Sequence, residues 1–387
     1  MKSVVLLLVF ALLSMFPVTA QSGNCDDPFA GVTPRFDTRY WESTDFCLHS
    51  VPYDEIHSGG PPPDGIPPID QPLFETLQPA GQWLQPKSPV IMLEIGGKAR
   101  AYPLAILIWH EVVNDVLMGE PVLVTYCPLC NSAIVFSREV NDEVLTFGVS
   151  GNLRNSDLIM WDRQTQSWWQ QFSGEAIVGM YTGTRLEIIP SILTSFGDFS
   201  VRYPEGEVLS RQTGYTREYG TNPYVDYDST SQPFLFEGEI DRRLPATEHV
   251  LAGVIDGEAV AYPFTILTQE RVVNDTVGTT DVVVLWQWGA VSALDRMTID
   301  ESEEIGWAAL YNRTIAASDG TVITLTFELS PDGYIRDHET ASTWDTFGTA
   351  TEGPLAGTQL ELLAAAPRFW FAWAAFQPET RIYGVEG

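Results

Sequence analysis

The chain holds 387 residues, 44% of them hydrophobic and 19% charged, which excludes disordered, collagen-like and coiled-coil proteins. Its 21 basic against 51 acidic side chains leave a net charge of −30, which repels phosphate backbones and anionic lipid and argues against nucleic acid or a membrane surface as partner. The length suits two or three domains, each with its own core.

In chain order, Lys2, an apolar run from Val4 to Phe16, and Val18-Thr19-Ala20 before polar Gln21 read as a signal peptide over residues 1–20, cleaved after Ala20. The run is shorter than the ~20 residues of a membrane helix, and no later segment is apolar for long enough to span a bilayer. A secreted or periplasmic chain matures in an oxidising space. In the arm at residues 21–50, Cys25 and Cys47 flank a 21-residue segment and are expected to form a structural disulfide.

Past the arm, Val90 to Ile95 and Lys98 to Tyr102 predict a strand pair around Gly96-Gly97. Pro103 suits the first turn of a helix running through Asn114. Val122 to Tyr126, Ala133 to Ser137, Val144 to Val149 and Leu158 to Trp161 are β-branched or aromatic runs between turn residues and read as strands.

This pattern returns. Ala101, Tyr102, Pro103, Ile106, Leu107, Val112, Val113, Asn114 and Asp115 recur 160 residues on as Ala261, Tyr262, Pro263, Ile266, Leu267, Val272, Val273, Asn274 and Asp275, nine matches in fifteen positions. Asp162, Thr165, Ser167 and Trp169 recur as Asp337, Thr340, Ser342 and Trp344. The expectation is two homologous α+β domains, residues 51–215 and 231–387, joined by a connector at 216–230. Each would be rich in antiparallel sheet, with one or two covering helices.

The second copy is an internal control. His110 becomes Glu270, Glu111 becomes Arg271, Cys127 becomes Gln287 and Cys130 becomes Ala290, while the framework around them stays. Joint loss is expected if the four form one site that only the first copy needs, the second being a degenerate buttress. A strand delivering Cys127-Pro-Leu-Cys130 to a tight turn can point both sulfurs at one centre, with His110 from the preceding helix as third ligand. His110 and Glu111 are adjacent and point about 100° apart on a helix, so Glu111 is assigned as proton acceptor beside the site. Two thiolates and an imidazole suit Cu(I) by softness and Zn(II) by the closed knuckle.

Two other readings stand beside the metal site. Cys-Pro-x-Cys is also used by thiol-disulfide oxidoreductases, although there the pair caps a helix, whereas Asn131 to Phe136 reads as a strand. The tryptophans, Trp168 and Trp169 above all, could instead serve a glycan- or partner-binding module. Because Asp162, Thr165 and Trp169 persist in the second copy, a turn and core motif is preferred for them. Phe369, Trp370, Phe371, Trp373 and Phe376 read as core packing, and His49, His57, His249 and His338 as isolated surface or capping residues.

Together, Asp64-Gly65-Ile66-Pro67, Ala101-Tyr102-Pro103, His110-Glu111 with Val113-Asn114-Asp115, Thr125-Tyr126-Cys127-Pro128-Leu129-Cys130, Ser150-Gly151-Asn152-Leu153 and Asp162-Arg163-x-Thr165 resemble a family of exported prokaryotic proteins known as a domain of unknown function. The resemblance covers about residues 50–211 and, more faintly, the second copy. It implies a bacterial or archaeal source and an envelope or extracellular location, and no established reaction.

Overall fold

The computed structural model describes residues 25–316 and 320–385. The expected signal peptide and the first residues of the arm, 21–24, lie outside the described residues. Strands make up 40% of the chain and helices 13%. The expected α+β layout is therefore corrected: the protein is mostly β, and the five α-helices among the described residues are four or seven residues long. None is long and apolar enough to cross a membrane.

The helix predicted from Pro103 through Asn114 shows why the helical share was overestimated. It spans Leu104–His110 and stops at Glu111, whose φ of 59° lies in the left-handed region. Beyond it, Val112–Leu117 is a strand paired with Glu120–Cys127. The β-branched Val112-Val113 pair fits a pleated surface better than a helix.

Strand order recurs along the chain. Pro89–Ile95 and Lys98–Pro103 form a hairpin through Gly96 and Gly97, at φ of 60° and 81°, the conformation that glycine adopts at least cost. Ile192–Ser195 flanks it on one side and Glu207–Leu209, running parallel, on the other. In the second half His249–Ile255 and Glu258–Pro263 form the hairpin, with Ala365–Phe369 antiparallel on one side and Arg381–Ile382 parallel on the other. A second sheet, ordered Ile188–Ile189, Ser132–Ser137, Glu120–Cys127, Val112–Leu117, has its counterpart in Glu361–Leu362, Trp307–Asn312, Thr280–Gln287, Val272–Val277.

The residues common to both halves do the same work in each. Asn114 clamps the backbone of Phe147, its Oδ1 accepting from N and its Nδ2 donating to O, and Asn274 does so with Phe327. Tyr102 donates to Asp115 and Tyr262 to Asp275. Asp162 accepts from the Thr165 amide and the Trp169 indole, as Asp337 does from Thr340 and Trp344. The rings of Trp168 and Trp169 are fully buried and present no face to a sugar.

The cores run across the midpoint of the chain. The largest joins Ile91, Val124, Cys130 and Phe136 to Val250, Val291, Trp370 and Phe371. Another joins Val90, Met92 and Phe199 to Val283, Leu285, Trp307 and Tyr311. The arm has a smaller core of its own, with Phe36 and Trp41 edge-on to Trp168 at 5.0 and 5.1 Å. The Cys25–Cys47 disulfide, with Cα atoms 5.7 Å apart, ties this arm together.

Candidate metal centre

Strand Glu120–Cys127 ends at Cys127, and Pro128–Cys130 forms one 3-10 turn, with Pro128 where its missing N–H costs nothing. Asn131 then turns the chain at φ 47° into strand Ser132–Ser137. This knuckle places both sulfurs on one side. The thiols are free and buried, Cys127 2% exposed and Cys130 fully enclosed. They donate toward the carbonyl oxygen of Ser156, 3.9 Å from Cys127 Sγ and 3.5 Å from Cys130 Sγ.

The third acid of the site is Asp157. A carboxylate oxygen of Asp157 and the two sulfurs lie within 4.8 Å of one another, all three residues buried. Asp157 Oδ2 accepts from Gln170 Nε2 at 2.6 Å and from the Phe172 amide at 3.0 Å. Its Oδ1 is buried with no hydrogen-bond partner, the state expected of an oxygen kept for a cation. Burial raises the Asp157 carboxyl to about 6, against the lowering effect of those two donors and of the neighbouring Cys130 and Cys127 thiols. Burial also raises both thiols above the ordinary range.

His110, expected as the third ligand, does not join this cluster. Its Nδ1 is 2.7 Å from the Pro67 carbonyl and its Nε2 is 2.7 Å from the Tyr219 hydroxyl. A carbonyl only accepts, so Nδ1 carries the proton, Nε2 accepts from Tyr219, and Tyr219 in turn accepts from Thr213 at 2.5 Å. Both nitrogens are engaged, and burial lowers the His110 pKa. The ring pins the connector to the end of the helix.

Glu111 lies nearer the site. It is 7% exposed, and burial, with the charge of Asp157 adding, pushes its carboxyl up to about 8. At neutral pH it therefore holds its proton, the reverse of the acceptor state expected for it. Tyr219, Tyr224 and Tyr227 of the connector pack against the core that contains Cys127 and Cys130, so the connector lies over the knuckle. Ser156 Oγ donates to the Phe234 carbonyl at 2.5 Å. His249, expected as an isolated surface residue, instead accepts from Asn131 Nδ2 at 3.1 Å, and burial lowers its pKa to about 4.

Sequence reasoning missed Asp157, although a signal exists. The cross-strand pair Phe147 and Asp162 corresponds to Phe327 and Asp337, offsets of 180 and 175 residues. The hairpin of the first half is thus five residues longer than its counterpart. Its longer end, Arg154 paired with Asp157, carries Ser156 and Asp157 to the sulfurs.

The geometry defines a mostly β protein built around a buried cluster of two thiols and a carboxylate. Within that class the chain matches, over residues 63–380, the family described as "Protein of unknown function (DUF3179)", and it belongs to that family. The match runs past Arg211 and through the second half. Comparison with curated proteins and with solved structures returns no match.

Proposed function

We propose that the first half of this protein holds one metal ion through Cys127, Cys130 and Asp157. One observation carries the reading: three ligand-bearing groups, all buried, lie within 4.8 Å of one another, with Asp157 Oδ1 unpartnered. Two thiolates with a carboxylate oxygen suit Zn(II) better than Cu(I), because the hard oxygen ligand adds little for a soft monovalent ion. Three protein ligands leave a fourth position open, and buried Glu111, whose carboxyl interacts with Asp157 through space, is the candidate proton source.

The second half is read as a degenerate tandem copy, a reading that the recurring strand order and the matched Asn114 and Asn274 clamps support. The Cys25–Cys47 disulfide supports an exported, secreted or periplasmic chain. Thiol-disulfide exchange is disfavoured, since both sulfurs are sealed and their pKa values raised, whereas exchange needs an accessible thiolate.

The test is elemental analysis of the chain purified after export, beside a Cys127→Ser/Cys130→Ser variant and Asp157→Asn. About one equivalent of zinc, absent from the double variant and reduced in Asp157→Asn, is expected. Metal content unchanged in the double variant, or none after reduction and reloading, overturns the proposal.

A further inference from the structure

A cavity of about 440 Å³ lies between the halves, walled by Gln170 and Phe172 on one side and by Gly253, Arg368 and Trp373 on the other. Its size falls in the range of small-molecule sites. Its charge is opposite to that of the whole molecule. In a chain of net charge −30, Arg154, Arg185 and Arg368 line this space against a single acid, Glu175.

Two of these arginines have carboxylate partners: Arg154 is bonded to Glu55 and Arg185 to Glu175, both at 2.7 Å. Arg368 has none. It is 5% exposed, and its guanidinium lies 4.1 Å from the Phe172 ring centroid and 5.2 Å from that of Trp373. Its Nη1 donates to the Phe172 carbonyl at 3.3 Å, while Nε is buried with no partner and Nη2 makes no hydrogen bond. Nε and Nη2 form the side-on edge of the fork, whose spacing matches the two oxygens of a carboxylate. Beside it Phe172 and Phe376 stack with centroids 4.4 Å apart.

We propose that this cavity binds a small organic carboxylate, its acid group on the Nε/Nη2 edge of Arg368 and its apolar body against Phe172, Phe376 and Trp373. A buried guanidinium with no anion bonded to it is costly, and a monoanion on its free edge lowers that cost while apolar surface is covered. The cavity also adjoins the Cys127/Cys130/Asp157 cluster, because the two residues that donate to Asp157 Oδ2, Gln170 and Phe172, form part of its wall. The proposal does not require the metal.

The test uses the full mature chain with benzoate, the neutral isostere benzamide, and phenyl phosphate, read by titration calorimetry and thermal shift. Benzoate is expected to bind at least about tenfold more tightly than benzamide. Arg368→Gln is expected to lose about tenfold or more in benzoate affinity. Should that buried variant fail to fold, Val254→Glu tests the same point from the exposed rim and is expected to weaken benzoate by a similar factor. The wild-type chain refolded with and without zinc is expected to bind benzoate equally, which separates this proposal from the metal reading. Equal affinity for benzoate and benzamide, no binding of either, indifference of benzoate to Val254→Glu, or tighter binding of phenyl phosphate than of benzoate overturns it.

Discussion

Burial holds the Glu111 carboxyl at about 8 when folded, against 4.5 when exposed. The fold disfavours its ionised form, so the stability linked to its proton is complete below 4.5 and is lost as pH rises through about 8. The metal-free protein should thus be less stable at pH 9 than at pH 6, by a few kcal/mol at the limit, read as a lower urea midpoint, and Glu111→Gln should flatten that slope. An unchanged slope in the variant would show that another group titrates there. At this scale the cysteine pair was legible, because a reactive side chain that vanishes between two similar stretches of sequence stands out against a retained framework. Asp157 was not, because it sits in a stretch with no counterpart to compare, and nothing in its neighbours Ser156 and Leu158 marks it. His110 was misplaced for a different reason. Sequence tells that an imidazole is near, but not that the Pro67 carbonyl and the Tyr219 hydroxyl already take both nitrogens.

The left-handed residue that ends each repeated helix has a consequence at the level of the element. Glu111 and Arg271 adopt φ of 59° and 60°, and each passes its carbonyl to the following hairpin, accepting from Tyr126 and Trp286. Because Arg271 shares the geometry without the site, the turn belongs to the scaffold, and the strain is not a mark of chemistry. Arg271→Gly should raise stability by about 0.5–1 kcal/mol, as relief of the backbone strain exceeds the added chain entropy of glycine, measured as an upward shift in denaturant midpoint. In the arm, Cys25→Ser/Cys47→Ser should cost about 3 kcal/mol, the loop-closure value for a crosslink of this span, with the loss read from the near-ultraviolet signal of Trp41 and Trp168. Hairpins were legible from Gly96-Gly97 and alternating β-branched residues. The end of the helix was not, since Val112 and Val113 extend the apolar run of the helix while already belonging to a strand.

The whole molecule was the least legible. Periodicity reports which face of an element is apolar, not which other element covers it. The apolar faces of Val90 and Met92 meet Val283 and Trp307, and Cys130 shares a core with Trp370. Residues 25–215 expressed alone should therefore expose apolar surface, bind a hydrophobic dye and lack a sharp unfolding transition, whereas the full chain should unfold in one cooperative step. Two well-separated transitions in the full chain would show that the halves are energetically independent.

Under the proposed function, the sealed knuckle also bears on how an ion would come to be held. With both sulfurs enclosed and Tyr224 and Tyr227 of the connector packed against the same core, an ion captured there during folding would leave only when the connector opens. Under the proposed function, the identity of that ion is fixed by kinetics: by what is present, and how abundantly, in the compartment where the chain first folds. The same polypeptide refolded in two different buffers would then carry two different metals indefinitely, each a record of where it was assembled.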